Sequence, residues 1–284
     1  MLVFKAVAAI RQSSRYLRAV LTVVLLGSIL VSARPASFGN DPGNNAPYAL
    51  TLQTLHCPWF SVVDDLVSMV QMKNTTGNEM NVYLAIRFGS NLIEDGSYVA
   101  TDPVNLGPYE GKTINIRQIV TQHRKLFKTA NTGGIELVYF GNPTDLIAKT
   151  SIVSMKHHQS FDVPFVNPTL AASNILDCVQ WFIGGDYRTF VEIKNTTTED
   201  VSVTLFIRHG KDAVTEETFE MPAQQARAID IREFKPVLDG DVTGSLEMRH
   251  TGVPGAIVAN STIMSRSLGL SFDSPFYPRV IPKE

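Results

Sequence analysis

The stretch "FVEIKNTTTEDVSVTLFIRHG" (residues 190–210) repeats an earlier one, "MVQMKNTTGNEMNVYLAIRFG" (residues 69–89). The correspondence continues in the same order along the chain, because "SFDVPF" (160–165) is matched by "SFDSPF" (271–276). Self-similarity of this kind marks a structural unit that has been duplicated. The predicted domains are repeat 1 (residues 48–168) and repeat 2 (residues 172–280).

Both repeats have the pattern of β-strands. In "VSVTLFI" (201–207) valine, leucine and isoleucine occupy every second position, which places one side of a strand in a core. The polar segment "KNTTTED" (194–200) is typical of a turn, so its flanking strands are predicted to form a hairpin. Seven or eight short strands fit repeat 2, and a helical turn or two is predicted around "IRQIVTQHRKLF" (116–127). The predicted fold class is all-β, with two tandem β-sandwich domains.

A strand ending in "KNTT", a second beginning "VSVTLFI" and a crossing segment "MPAQQARAIDI" (221–231) resemble the immunoglobulin-like modules of secreted bacterial proteins. The likeness is nearest to adhesion-type modules that occur in tandem on cell-surface chains. The pairing of "PWF" (58–60) with a later "LSFDSPF" (270–276) is also similar to a family of secreted bacterial proteins with two such copies. The resemblance implies two immunoglobulin-like β-sandwich domains in an exported chain, and it implies no catalytic residue.

The N-terminal segment is predicted to direct export. Basic residues precede an uninterrupted apolar run of 13 residues (19–31), and Val31 and Ala33 have the small-residue spacing that a signal peptidase recognises. The run is shorter than the roughly 20 residues that cross a membrane, so a cleaved signal over residues 1–33 is favoured over a retained anchor. Residues 34–47 are predicted to be a flexible leader. We expect a periplasmic, cell-surface or extracellular location.

The composition argues against a general role in nucleic-acid binding. The 284 residues include 25 lysines and arginines and 27 acidic residues, and the net charge of -2 provides no polycationic field for a phosphate backbone. Hydrophobic residues make up 44% of the chain, which is enough for one large or two modest cores. The expected partner is a protein or a glycan, with membrane contact only if the N-terminal segment is retained.

The two cysteines, Cys57 and Cys178, occupy the same place in the two repeats, each just before one of the two tryptophans, Trp59 and Trp181. A disulfide within either repeat is impossible, so three outcomes are open in an oxidising compartment: a bridge between the repeats, a bridge between chains, or two buried thiols. A bridge requires the two Cα atoms to lie within about 7 Å. Both tryptophans are interpreted as core or interface residues.

Groups that recur in both repeats are interpreted as requirements of the fold, since a single active site would need only one of each. Asn74 and Asn195 begin the two "NTT" segments, which are formal glycosylation sequons but coincide with the predicted turn. Charged residues recur as well. They are Glu136 with Glu247, Arg87 with Arg208, and Arg117 with Arg232.

No motif for catalysis or for a cofactor stands out. His157 and His158 are adjacent, and neighbours on a strand point to opposite faces, so this pair is not expected to chelate one metal. Asp64 and Asp65 correspond to Asp186 and precede a strand, where aspartate commonly makes turn hydrogen bonds. The sequence contains no nucleophile elbow, zinc-binding helix motif, phosphate loop or calcium loop. We predict no enzyme activity, no metal and no cofactor.

Repeat 1 carries two insertions relative to repeat 2, about six residues before "INIR" (114–117) and about four residues after it. Sandwich loops are where such scaffolds bind partners, and the second insertion is basic. The candidate contact residues are Tyr98, Tyr109, Arg124, Lys125 and Phe127. A solvated loop with no partner is the alternative interpretation.

Together these features predict an exported, non-enzymatic structural or binding protein of the cell envelope or exterior, which contacts a protein or glycan through the loops of repeat 1. The second hypothesis is an accessory subunit of a larger envelope assembly, held by its edge strands or by a retained N-terminal helix. A hydrolase that uses exposed acids is the third class.

Overall fold

A computed structural model describes residues 51–88, 98–124, 131–170, 172–209, 213–234 and 242–279. These residues belong to one compact unit that extends from Leu50 to Glu284. The predicted signal and leader lie outside the described residues, as do Lys125 and Phe127.

The described residues of repeat 1 form nine strands and one helix. They are β1 (Thr51–Ser61), β2 (Leu66–Asn74), β3 (Met80–Phe88), β4 (Tyr98–Ala100), β5 (Val104–Leu106), β6 (Gly111–Asn115), α1 (Ile116–Gln122), β7 (Thr132–Gly141), β8 (Leu146–Ser154) and β9 (Gln159–Pro164).

The described residues of repeat 2 form nine strands and a short 3-10 helix. They are β10 (Ile175–Ile183), β11 (Tyr187–Asn195), β12 (Val201–His209), β13 (Ala213–Met221), β14 (Ala226–Asp230), the 3-10 helix (Ile231–Glu233), β15 (Val242–His250), β16 (Ile257–Ser265), β17 (Leu270–Asp273) and β18 (Phe276–Pro278). Seven or eight strands were predicted for repeat 2, and the additional strand is β18, which has only three residues.

The helical turns predicted after β6 are confirmed by α1. Asn115 caps the helix, because its side-chain oxygen accepts a hydrogen bond from the backbone N–H of Arg117. Ile116 and Val120, four residues apart, share the buried face. Asp230 caps the 3-10 helix of repeat 2 in the same way, so a capped helical turn follows the same strand in both repeats.

The strands form four antiparallel sheets within the described ranges, two in each repeat. Sheet A has the order β1-β7-β3-β4, with β5 also paired to β3; sheet B is β6-β2-β8-β9, sheet C is β13-β12-β15-β10-β18, and sheet D is β14-β11-β16-β17. Sheets B and D match strand for strand. Sheets A and C share the order β1-β7-β3 and β10-β15-β12, but β4 and β5 replace β13 and only sheet C has the additional strand β18. The duplicated sequence therefore has a duplicated central topology. The all-β class predicted from the sequence is confirmed.

Each repeat buries a hydrophobic core between its two sheets. Val203, Leu205 and Ile207 of β12 are fully buried, as the alternation of apolar residues predicts. The buried side chains of sheets A and B form one cluster, and those of sheets C and D form a second. Two sheets with one apolar face each exclude water by facing each other.

The predicted hairpin at "KNTTTED" is wrong. β11 belongs to sheet D and β12 to sheet C, and the equivalent strands β2 and β3 likewise belong to sheets B and A. The turn therefore carries the chain across the core from one sheet to the facing sheet. Alternation identifies the buried face of a strand, but both a hairpin neighbour and a strand in the opposite sheet satisfy it.

Asn74 and Asn195 stabilise these turns from inside, and both are fully buried. The Asn195 side-chain amide donates to the carbonyl oxygens of Glu199 at 2.7 Å and Met221 at 2.9 Å. Its Oδ1 accepts the backbone N–H of Thr197 at 2.9 Å. Asn74 makes the corresponding bonds in repeat 1. Each amide satisfies backbone groups that the turn leaves without strand partners.

The two repeats lie side by side and run in the same direction. Where the edge strands β9 and β17 adjoin, the Ser271 hydroxyl donates to the carbonyl oxygen of Ser160 at 2.7 Å. The backbone N–H of Asp162 donates to Oδ2 of Asp273 at 3.1 Å. Both pairs are 111 residues apart, so equivalent positions of the two strands lie next to each other.

This arrangement gives the unit two ends. The turns that begin at Asn74 and Asn195 lie at one end, which we call the Asn end. The turns that join β8 to β9 and β16 to β17, at residues 155–158 and 266–269, lie at the opposite end. We call it the cleft end, because a cleft opens there.

Candidate functional site

A buried ion-pair network joins the repeats. Lys194, on β11 of repeat 2, is fully buried, and its Nζ donates to Oε1 of Glu136 on β7 of repeat 1 at 2.9 Å. The Nε of Arg87, on β3, donates to the same oxygen at 2.7 Å. His56 Nδ1 lies 3.8 Å from it. One carboxylate therefore holds two cations, one from each repeat.

The network keeps Glu136 ionised. Burial by itself would raise the pKa of Glu136, but the charges of Lys194 and Arg87 outweigh it and hold the pKa at about 2. Burial lowers the pKa of His56 to about 3, so this imidazole is neutral in the folded protein at ordinary pH. A buried charge pair of this kind contributes little net stability, but loss of one partner leaves an uncompensated charge.

In repeat 2, the equivalent carboxylate is that of Glu247, and all of its described counter-charges come from the same repeat. Glu247 is bound by Arg208 at 3.2 Å, the residue equivalent to Arg87. Arg249 and Arg279 bind it at 2.5 and 2.9 Å, so repeat 2 supplies the counter-charges that repeat 1 takes from Lys194. The recurring arginine and glutamate are thus explained as a cross-strand pair that both repeats form.

Glu192 lies two residues before Lys194 on the same face of β11 and is only 2% exposed. The Asn260 side-chain amide donates to its Oε2 at 3.2 Å. Burial, with a smaller contribution from the negative charge of Asp273, raises the pKa of Glu192 to about 8. The carboxyl group is therefore protonated at neutral pH, in contrast to Glu136.

Sequence reasoning missed Lys194 and Glu192. Repeat 1 has Lys73 and Gln71 at the equivalent positions, and Lys73 is exposed. Nothing in the local pattern distinguishes the buried lysine from the exposed one, because only the packing of repeat 1 against sheet D buries it.

Both cysteines are free thiols in the core, with 0% of Cys57 and 1% of Cys178 exposed. The Cys57 thiol donates to the carbonyl oxygen of Trp59 at 3.1 Å, and Cys178 Sγ lies 3.2 Å from the Ser274 hydroxyl. Burial raises the pKa of Cys57 to about 12 and also raises that of Cys178. Of the outcomes left open by the sequence, the structure has two buried thiols, which are unreactive as nucleophiles.

The strand register corrects the pairing of Trp59 with Trp181. Trp181 lies opposite Gly244 in the β10–β15 ladder, and Phe60 lies opposite Gly133 in the β1–β7 ladder. Phe60 and Trp181 are both fully buried, whereas Trp59 is only partly buried. A bulge follows each cysteine, and in both ladders pairing resumes three residues after the cysteine, so the structural equivalent of Trp181 is Phe60.

A cleft of about 470 Å³ opens between the repeats at the cleft end. Leu66 and Phe161 of repeat 1 and Met264 of repeat 2 give it an apolar lining. Two exposed cations, Lys156 of repeat 1 and Arg266 of repeat 2, also line it. Concave surfaces that combine apolar lining with a few charged groups are common binding sites.

The predicted turn hydrogen bonds of the aspartates are confirmed. The Ser154 hydroxyl and the backbone N–H of Lys156 both donate to Asp65 Oδ2, the latter at 3.2 Å. Asp186 binds the corresponding turn of repeat 2, where it accepts the backbone N–H of Ser267 at 2.6 Å. These hydrogen bonds lower the pKa of both aspartates, to about 2 for Asp186. Both acids therefore shape the turns at the cleft end.

His157 and His158 lie in the turn between β8 and β9, not on a strand as the sequence analysis placed them. The argument from opposite strand faces therefore does not apply to them. Within the described ranges, the histidine, cysteine and acidic side chains form no group that could hold a metal ion.

Two of the predicted contact residues lie at the cleft end. Tyr98 begins β4, and its ring lies 5.1 Å from the Arg87 guanidinium carbon. Arg124 follows α1, and its Nη1 donates to Oδ1 of Asn131 at 2.6 Å. Lys125 and Phe127 fall outside the described residues.

Tyr109 lies at the Asn end and is 65% exposed. Its backbone N–H donates to the carbonyl oxygen of Thr76 at 3.0 Å, which places it against the turn led by Asn74. The structure therefore separates Tyr109 from Tyr98 and Arg124, and one partner bound at the cleft end would not contact it.

The fold and these contacts define an all-β protein in which two copies of one strand order are joined through a buried ion pair. In the part of the chain that the structure describes, no helix is long and apolar enough to span a membrane. Comparison with protein-family models, with curated proteins and with solved structures found no match.

Proposed function

We propose that this chain is an exported, non-enzymatic binding protein of the cell envelope or exterior, built from two tandem immunoglobulin-like β-sandwich domains. The strand order common to the two repeats supports the modular part of the proposal. Export is inferred from the basic and apolar N-terminal residues and their small-residue spacing. The partner is a protein or a glycan, and it is contacted at the cleft end.

The observation that carries the proposal is the cleft between the repeats. Lys194 and Glu136 join the two β-sandwiches at a buried site, and β9 adjoins β17. Loops of both repeats are thereby presented together on one surface, to which Lys156 and Arg266 contribute one cation each. Loops on a rigid β-scaffold are the usual contact surface of such modules.

Photo-crosslinking in the native cells tests this proposal. We would introduce the photo-reactive residue benzoylphenylalanine in place of Lys156, Arg266 or Tyr109, one position at a time, and identify the adducts by mass spectrometry. The proposal expects adducts to one defined partner from Lys156 and Arg266 and none from Tyr109, because Tyr109 lies at the opposite end. Adducts that form only from Tyr109, or equally from all three positions, would contradict it.

The second candidate is an accessory subunit of a larger envelope assembly, held by an edge strand. One feature favours it: β13 occupies the outer position of sheet C. In that case the crosslinked partner would be recovered from a photo-reactive residue on β13 and not from the cleft end.

A further inference from the structure

β13 presents a long, regular strand edge. In the described residues it pairs with β12 alone, through nine consecutive residue pairs from Val201↔Met221 to His209↔Ala213 without a bulge. No described strand pairs with the backbone N–H and C=O groups along its opposite edge. Such an edge can add a further strand from another chain.

The equivalent edge of repeat 1 is broken. There, β3 is covered by two strands of three residues each, β4 and β5, which are separated by residues 101–103. Pro103 lies in that gap and has no backbone N–H to donate. Short and interrupted edges prevent strand addition. The two repeats thus differ at this edge, and in the described residues only repeat 2 keeps it continuous.

The negative charge of β13 favours a basic partner. Its sequence, "AVTEETFEM", contains three glutamates and no basic residue. Glu216 and Glu220 lie on the same side of the strand and are exposed, while Glu217 is half-buried on the other side. Among the described cations, Arg208 of β12 and Arg249 of β15 are bound to Glu247 at 3.2 and 2.5 Å, and Arg227 stacks on the Phe219 ring at 5.3 Å. Two copies of this edge would repel each other, which disfavours a homodimer formed by β13.

We propose that β13 is a docking edge for an extended, basic segment of a partner protein, which adds a strand to sheet C. Backbone hydrogen bonds along the edge supply most of the affinity, and alternate lysines or arginines of the segment pair with Glu216 and Glu220. The inference rests on the proposed role as a binding protein, but it concerns a surface separate from the cleft end.

A peptide-binding experiment with the purified, processed chain tests the proposal. The probe is a fluorescent nine-residue peptide in which lysine alternates with valine, and the comparison peptide has glutamate in place of lysine. Affinity is measured by fluorescence anisotropy at low and high salt, and hydrogen exchange locates the protected amides. We expect binding of the lysine peptide, weakening with salt, and protection of β13 amides.

Charge reversal supplies the sharpest comparison. In the double variant Glu216→Lys and Glu220→Lys, the lysine peptide should bind about tenfold more weakly or worse, and the glutamate peptide should now bind. The matched control is Glu79→Lys, an exposed glutamate of repeat 1 that should leave both affinities unchanged. The two reversed side chains are exposed, so the variant is expected to fold normally.

Three results would overturn the proposal. The first is unchanged affinity after charge reversal. The second is equal binding of a lysine peptide whose alternate backbone nitrogens are methylated and cannot form a ladder. The third is a dimer of the unliganded chain that dissociates when β13 is altered, which would make a second copy the occupant. None of these results affects the crosslinking expected at Lys156 and Arg266, so the two proposals fail separately.

Discussion

Lys194 Nζ and Glu136 Oε1 lie 2.9 Å apart although the two residues are 58 positions apart in sequence and belong to different repeats. The pair is shielded from water, since the lysine side chain is 0% and the glutamate side chain 10% exposed. It therefore ties the two repeats together at a position where an unpaired charge would be costly.

Removal of either partner should destabilise the protein. We expect Glu136→Gln to lower the free energy of unfolding by about 3–5 kcal/mol, because the Lys194 charge is left buried without its partner. Lys194→Met should lower it by a smaller amount, because Arg87 still pairs with Glu136. Urea denaturation followed by tryptophan fluorescence measures the change. The double variant should cost less than the sum of the single ones.

Lys73 provides the matched control for this prediction. It occupies the equivalent position in repeat 1 and is exposed, so Lys73→Met should leave the urea midpoint unchanged. Equal effects of the Lys73 and Lys194 substitutions would mean that the buried pair does not join the repeats.

Glu192 should make the protein less stable as pH rises. Its pKa is raised from 4.5 to about 8 by burial, so the folded state binds a proton that the unfolded state releases between these values. Stability from this group is therefore complete below about pH 4.5 and declines as pH approaches 8, by up to about 1.4 kcal/mol per pH unit. Asp273, with a pKa raised to about 6 by burial, acts in the same direction over a lower range.

Urea titrations at several pH values between 6 and 8 isolate the Glu192 contribution. We expect the wild-type free energy of unfolding to fall across this window and that of Glu192→Gln to stay nearly level, because glutamine has no proton to lose. Glu79→Gln, at an exposed position, should keep the wild-type slope. An identical slope in all three proteins would refute the assignment.

The cysteines should be unreactive towards a thiol reagent in the folded protein and should react as free thiols after unfolding. Both are buried and the pKa of Cys57 is raised to about 12 by burial, so a thiol reagent should react with neither at neutral pH. Denaturation without a reductant should release two thiols for each chain. A count of zero under those conditions would show that Cys57 and Cys178 are bridged, within the chain or between chains.

The two buried asparagines should contribute similar stability. Asn74→Ala or Asn195→Ala removes hydrogen bonds to backbone groups inside a turn, and each should cost about 1–3 kcal/mol. Asn78, in the same turn as Asn74, has an exposed side chain and provides the control. If Asn78→Ala is as destabilising as Asn74→Ala in thermal or urea unfolding, the turn does not depend on the buried amide.

Much of the fold was accessible from the sequence. The duplication, the all-β class, the buried faces of β3 and β12 and the helical turn at α1 follow from local periodicity and from repetition. The hairpin prediction failed because strand pairing is non-local: β11 pairs with β14 and β16, residues that lie well beyond the next turn.

The candidate sites were only partly accessible. The insertions in repeat 1 pointed to Tyr98, Tyr109 and Arg124. Which end of the unit each residue lies at depends on the direction of its strand, and this puts Tyr109 at the Asn end and the other two at the cleft end. The pairing of the tryptophans was wrong because it matched residue type and not spacing: Phe60 and Trp181 each lie three residues after the cysteine and opposite a glycine of the neighbouring strand.

By itself, the sequence determined what each segment of this protein is: a strand with one apolar face, a turn led by asparagine, or one of two copies of the same unit. Those features depend on residues close together in the chain. Only the tertiary structure decided which lysine is buried, since Lys73 and Lys194 both begin a KNTT segment at the end of a strand and differ in what packs over them. The physical reason is that burial, and with it the pKa of Glu192 and Glu136, is set by contact between the repeats.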